Sequence, residues 1–416
     1  MDALLQAMRY YRQLFSCVLM PFIQQRTMSD FSLSLHLRQL IISKGPLTVY
    51  NFMRECLTNP LGGYYMHREA LGQQGDFTTS PEISQLFGEL IGVWCFHVWK
   101  DNNAVRPLHI VELGPGRGTL MADILRTVSQ FGDIASNVRV SLVEVSPRMM
   151  RLQKELLAGN REQPTVPFSL LNTVESYFGP SVSWYLSLDD VLSNSTEFTI
   201  IIANEFFDAL PVHQFVQRDD YWREILVDID DPKENGLGSS TKFRFVVSPV
   251  VTPALSYLTS EDIPTYTDCF EICPDARVIV QSIAKRLSNG KGIALISDYG
   301  SDSPSRLTLR GFKEHKLHDV LDNPGSVDHT VDVDFAALRK AVGNLGVCCG
   351  PITQSQFLHQ MGIKARLKAL MSNASREQGK KLLSGYEMLT GNDAMGERFK
   401  FFVVCPLHGK RPYPFI

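Results

Sequence analysis

From residue 108 onward, short apolar runs alternate with stretches of helical period. Residues 108–113, 139–145, 181–186, 198–203 and 292–297 read as strands, the first and fourth apolar enough to be covered on both faces. Between them Leu120, Met121, Ile124, Leu125 and Val128 recur at helical spacing, and further helices are predicted over 147–157 and 275–287. Such alternation predicts an α/β fold with a mostly parallel sheet. Residues 346–349 and 399–405 supply two last strands, the final one as an antiparallel edge hairpin, with helices at 334–342 and 355–371; the total is seven strands.

The chain before residue 106 is patterned differently. Leu33, Leu37, Leu40 and Ile41 form one helical stripe, and Val49, Phe52, Met53 and Leu57 form another after the Gly45-Pro46 break, so 29–105 reads as an all-helical cap. Within it, 64–84 is rich in glycine, small polar groups and aromatics, and is predicted to be a lid over a ligand. Ser80, followed by Pro81 and Glu82, reads as a helix N-cap with Pro81 as first helical residue. A second interruption lies at 214–273, where short alternating strands at 221–228 and 243–248 flank a polar loop. That segment predicts a small antiparallel β insertion in a domain running from 106 to 416.

Composition narrows the class. The 416 residues admit two or three domains, and 44% hydrophobic content is ordinary for an enzyme. A net charge of −3 and short basic runs give no field that would gather nucleic acid. Eight cysteines form no C-x-x-C pair, so reduced, mostly buried thiols are expected. Residues 1–28 stand apart: Leu4, Met8, Tyr11, Phe15, Leu19 and Phe22 share one helical face, and Arg9, Arg12 and Arg26 add positive charge. This resembles a mitochondrial presequence; a secretory signal is the rival, but no A-x-A-like site follows. Pro21 and the shortness of the apolar run argue against a membrane span.

Candidate chemistry gathers at strand ends. Gly114, Gly116 and Gly118 follow the first strand directly and open the next helix, a place where backbone passes close to a ligand. A dinucleotide fingerprint would put its third glycine where Thr119 stands, and here an acid, Glu112, lies within the strand. The pattern resembles motif I of class I S-adenosylmethionine methyltransferases, whose ligand is a cationic sulfonium. Glu144, at the end of the second strand, is placed to accept both ribose hydroxyls of a nucleoside; Asp189 is a weaker candidate for the adenine end. Asn204-Glu205-Phe206-Phe207-Asp208 follows the fourth strand at once. Carboxylates suit a guanidinium substrate, because they pair with it bidentately and can take its proton, so Glu205 and Asp208 are the catalytic candidates. His315, His318, Asp319, Asp322, Asp328, His329, Asp332 and Asp334 crowd one stretch, but their spacing fits no ligand template; a substrate-facing loop is expected there and no metal.

Several motifs in order extend the likeness: Gly62-Gly63-Tyr64-Tyr65, Gly75-Asp76-Phe77, residues 79–84, 111–118 and 204–213, Arg310-Gly311-Phe312, residues 332–335 and 395–399. From about residue 35 to the C-terminus the chain resembles the MidA-like family. Asn204, where the family's pattern has histidine, and His329, where it has leucine, depart from it. The resemblance implies a class I methyltransferase with a Rossmann-like, mostly parallel seven-stranded sheet. It implies S-adenosyl-L-methionine as donor, with Ser80 joining Glu112, Gly114, Gly116, Gly118 and Glu144 around it. It further implies symmetric dimethylation of an arginine on a matrix-arm subunit of respiratory complex I, in the mitochondrial matrix and in aid of complex I assembly; a non-enzymatic assembly chaperone is the alternative. A homodimer, with or without the insertion at its interface, is left open.

Overall fold

In the computed structural model the apolar runs form one sheet. Its seven main strands are β1 (Leu108–Leu113), β2 (Val138–Val143), β3 (Ser181–Tyr185), β4 (Phe198–Asn204), β5 (Lys291–Ser301), β6 (Val347–Thr353) and β7 (Phe399–Cys405). Residues 32–415 are described, apart from 68–77, 103–106, 133–136, 160–172, 195, 231–241, 257, 260–261, 264–266, 290 and 304–305. The 1–28 presequence, Gly75-Asp76-Phe77 of the lid and most of the polar loop in the insertion therefore lie outside the described residues.

Strand order is β3-β2-β1-β4-β5-β7-β6, with β7 antiparallel to both neighbours. This is the mostly parallel sheet that the alternation predicts and the Rossmann-like one that the resemblance implies, widened to nine strands by Thr173–Glu175 beside β3 and Val333–Asp334 at the end of β5. All six residues of β1 are buried, as expected for a central strand covered on both sides. The order reverses between β1 and β4, which leaves a crevice beyond their carboxyl ends.

Helices cover both faces. On one side pack α4 (Gln85–Asp101), α5 (Thr119–Val128) and α6 (Pro147–Ala158), with Trp94, Ile124 and Phe401 fully enclosed. On the other lie α7 (Pro274–Asn289) and α8 (Phe335–Val342), which bury Val280, Ile283 and Phe335 against Ile201 and Ile296. Each such side chain contributes about 1.5–3 kcal/mol by leaving water.

The cap is not all-helical. Between α1 (Leu33–Lys44) and α2 (Val49–Thr58), Leu47 and Thr48 form a short strand that pairs antiparallel with Tyr221–Ile229 of the insertion. Phe52 and Met53 of α2 then share a core with Val227, Ile229 and Phe243, so cap and insertion bury one another's apolar faces. The insertion's other strands are His213–Arg218, Phe243–Val247 and Cys269–Ile272. Two further expectations are corrected. The helix read over 355–371 is two, Gln354–Gln360 and Ile363–Met371, broken at Gly362, whose φ of 89° favours glycine. The polar stretch around 310–330 carries a three-stranded sheet, Arg310–Lys313, Lys316–His318 and Asp328–Thr330. Among the described residues, no helix is long and apolar enough to cross a membrane.

Candidate functional site

The glycine turn leaves β1 with all three residues at positive φ: Gly114 at 61°, Gly116 at 54° and Gly118 at 86°. Any L side chain there is strained, and at 114 it would also collide, since a Cβ would stand 2.7 Å from the Phe206 ring. The glycine turn and the loop after β4 are thus in contact through a missing side chain. Gly118 forms the N-cap of α5. Beneath the turn Glu112 is buried, and its Oε2 has no hydrogen-bond partner. Burial first, and then the charge of Glu144, push its carboxyl up to about 8.

Glu144 sits just past β2. Its Oε1 accepts the Ser146 amide (2.8 Å), its Oε2 accepts Gln153 Nε2 (3.1 Å), and burial raises its carboxyl to about 7. Gln153 was not singled out in the sequence. Its Nε2 also donates to the Gly116 carbonyl (2.7 Å), and its Oε1 accepts from Trp184 Nε1 (2.8 Å). One fully buried amide therefore ties the glycine turn to the acid at the end of the next strand. The sequence signal for it is a polar residue on the buried face of α6, between Met149, Met150 and Leu157.

Across the crevice, the loop after β4 holds the other acids. Glu205 adopts φ 49°, and its amide donates to the Ser297 carbonyl of β5 (2.8 Å). Its Oε1 accepts from the Ser80 amide (2.7 Å) and, more weakly, from Asn204 Nδ2 (3.4 Å), while Oε2 is buried without a partner. Burial raises Glu205 to about 7, and the Asp208 charge adds to the rise against the Ser80 amide. Asp208 accepts the Thr330 hydroxyl (2.9 Å); burial raises it to about 6, opposed by Thr330 and Tyr299.

Asp298, in the C-terminal half of β5, is a further residue without an assigned role in the sequence. Its Oδ2 accepts the amides of Phe206 (3.2 Å), Phe207 (2.9 Å) and Asp208 (3.2 Å), and its Oδ1 accepts that of Tyr299 (3.0 Å). Burial, with Asp208 and Glu205 close by, holds its carboxyl well above the usual range. A buried carboxyl group thus fixes the backbone that aims Glu205 and Asp208.

Ser80 departs from its expected role. The N-cap of α3 (Ser80–Ile83) is Thr79, and Ser80 is a buried helical residue whose amide serves Glu205. Ser84 is the residue that caps, accepting the Leu86 amide at the start of α4. Asp189 accepts the Ser282 hydroxyl of α7 (3.0 Å).

The acidic and histidine-rich stretch disperses. Asp328 accepts the Tyr65 hydroxyl (2.8 Å), His329 stacks on Phe52, Asp332 pairs with Arg310 (2.5 Å), and Asp334 caps α8. His315 and His318 are exposed. Among the described residues, no group of three or more His, Cys, Asp or Glu could hold a metal ion.

These residues fit a sulfonium nucleoside. Bare backbone at the turn admits close approach, and the unpartnered Glu112 oxygen offers an acceptor to a cation or its amino group; Glu144 offers one to hydroxyls. The comparisons agree. Residues 90–350 match the family model described as "Putative S-adenosyl-L-methionine-dependent methyltransferase". The protein arginine methyltransferase NDUFAF7, mitochondrial, of Xenopus tropicalis is 46% identical over 381 residues, spanning 89% of this chain and 85% of that protein. Its Homo sapiens counterpart is 43% identical over 379 residues, 89% and 82% of the two chains. The crystal structure of a Burkholderia thailandensis protein bound to S-adenosyl-homocysteine has the same fold, with a TM-score of 0.72 at 24% identity over 91% of this chain and 93% of that one. On the span and depth of these matches, the chain belongs to the family of S-adenosyl-L-methionine-dependent methyltransferases.

Proposed function

We propose that the chain is a protein-arginine N-methyltransferase in which Glu205 and Asp208 receive the guanidinium and Glu205 takes its proton. The observation that carries this reading is the buried, unpartnered Oε2 of Glu205, held beside Asp208 on a loop that touches the glycine turn. A guanidinium carries five N–H donors and no acceptor, so acid oxygens are its natural counterpart. The relatives' names, protein arginine methyltransferase, support the same substrate class. Glu112, Gly114, Gly116, Gly118 and Glu144 hold the donor, and Ser80 contributes through its amide to Glu205. S-adenosyl-L-methionine, when bound, supplies an electrophilic methyl group on a sulfonium cation. Glu205 orients one nitrogen toward that methyl group and accepts the proton released as the new bond forms.

Finer expectations follow the family resemblance: symmetric dimethylation, a matrix-arm subunit of complex I as the protein substrate, and action in the mitochondrial matrix, in line with the word mitochondrial in the relatives' names. Labelled methyl transfer onto matrix extract from cells lacking the chain, followed by mapping of the modified residue, tests the first two. Symmetric dimethylarginine on a complex I subunit is the expected product; label on another residue type would overturn the arginine reading, and asymmetric product would overturn the type.

Turnover is expected to depend on pH with a definite sign. Glu205, raised to about 7, acts as the carboxylate, so kcat at saturating donor falls as pH drops through 7, roughly tenfold per unit, and levels off above it. A flat profile from about pH 5.5 to 8.5 would remove Glu205 as base.

The Gln153 bridge gives another expectation. Gln153→Leu leaves the Gly116 carbonyl and Glu144 without their shared donor, so the donor's Kd is expected to rise about tenfold or more. Because Gln153 does not meet the acid loop, kcat at saturation stays near the wild-type value. Calorimetry and initial rates separate the two.

A further inference from the structure

The helices α9 (Ile363–Met371) and α10 (Arg376–Thr390) form a hairpin packed on α3 and α4. Their inner face is anchored: Ile363, Leu367 and Leu389 enter the main core, and Arg366 pairs with buried Glu89 of α4 at 2.7 Å. Gly385 of α10 lies against α3 and α4, so tightly that a Cβ there would stand 2.9 Å from Ser84 Cβ. The hairpin therefore rests on the turn whose Ser80 amide holds Glu205.

Its outer face carries a positive surplus. With Arg366 turned inward, Lys364, Lys368, Arg376, Lys380 and Lys381 are exposed against Glu377 and Glu387, of which Glu377 pairs with Lys381 at 3.2 Å, in a chain whose net charge is −3. Lys364, Lys368 and Met371 share one exposed stripe at i, i+4, i+7; Arg376, Lys380 and Leu383 share another. The stripes meet where Met371 Cε comes within 3.9 Å of a Cβ built at Gly379, beside Lys380. Met371 and Leu383 are each 42% exposed. Cations around flexible apolar side chains make a surface for an acidic amphipathic partner, since methionine adapts to varied contours and lysines steer approach.

We propose that this hairpin is the docking surface for the protein substrate, which it grips through an acidic, partly apolar segment separate from the modified arginine. The proposal rests on the arginine-methyltransferase reading above. Its logic is electrostatic: Glu205 and Asp208 attract a cationic side chain, while the hairpin attracts acids elsewhere on the same protein, so a substrate bearing both is oriented as it arrives. A bilayer is the less suited occupant, because the outer face offers Met371 and Leu383 but no Trp or Phe to enter the lipid boundary.

The test compares the wild-type chain with K368E/K380E and K368Q/K380Q, using the protein identified by the mapping above and a peptide of roughly ten residues around its modified arginine. For K368E/K380E the KM for the whole protein is expected to rise about tenfold at unchanged kcat, with a smaller rise for K368Q/K380Q. Kinetics on the peptide and the donor's Kd stay at wild-type values. Raising NaCl from about 50 to 300 mM should raise the wild-type KM and leave that of K368E/K380E nearly constant. Equal KM for wild type and K368E/K380E overturns the proposal, as does an equal loss on the peptide. Lysine-dependent sedimentation with vesicles of phosphatidylcholine and an anionic phospholipid, with no change in KM, would assign the face to a membrane instead. Should the wild-type chain label no protein at all, the arginine-methyltransferase reading falls, and docking falls with it; labelling that ignores the hairpin variants sinks docking alone.

Discussion

Glu205→Gln is expected to lower methyl transfer at least about a hundredfold while leaving the donor's affinity within about twofold, the span general-base removal commonly produces. The substitution preserves shape, and the glutamine carbonyl can still accept the Ser80 amide as Glu205 Oε1 does. What it removes is the buried, unpartnered, titratable oxygen. A neutral amide also loses the Coulombic hold on a guanidinium, so the KM for a protein substrate should rise as well. Glu205 belongs to the loop after β4, whereas the proposed donor site uses Glu112, the glycine turn and Glu144, so a drop in donor affinity comparable to the loss of rate would point to collapse of the crevice. Near-normal turnover would remove Glu205 from the chemistry.

Asp298→Ala is expected to be the other severe change, through structure rather than contact. Four amides, those of Phe206, Phe207, Asp208 and Tyr299, would lose their acceptor in a buried place. At about 1–3 kcal/mol for each group left unsatisfied, the loss is large against the 5–15 kcal/mol that commonly stabilises a folded chain. The loop would lose the geometry that aims Glu205 and Asp208, so activity should fall with the melting temperature. Asp298→Asn separates the two effects. Its carbonyl oxygen can replace Oδ2 toward three amides, but its NH2 group then meets the Tyr299 amide donor to donor. An intermediate melting temperature with partial activity is expected; an alanine variant as stable and active as wild type would show that the loop is held by other means.

The parts of the fold visible in the sequence are those with local signals. β1 and β4 announce themselves as apolar runs, the turn by three glycines that all adopt positive φ, and Glu205 by its position at a strand end. What escapes is what depends on distant partners. Leu47–Thr48 is two residues long and is a strand only because Leu47 and Thr48 meet Val227 and Leu226. Ser80 follows another capping residue, Thr79, and sequence chemistry alone does not choose between them; the hydrogen bond of the Ser80 amide to Glu205 accompanies the earlier start. Gln153 and Asp298 serve groups 37 and about 90 residues away, a relation no window along the chain contains. Gly362 is the exception, a visible break inside a long helical pattern.

Calorimetric titration of the folded protein with S-adenosyl-L-methionine and with its demethylated product tests the central claim most directly: that the loop closing β1 grips a sulfonium nucleoside. Saturable heat corresponding to one site per chain is expected with both ligands, weakened in Gln153→Leu and retained in Glu205→Gln. The absence of heat with either ligand would contradict it.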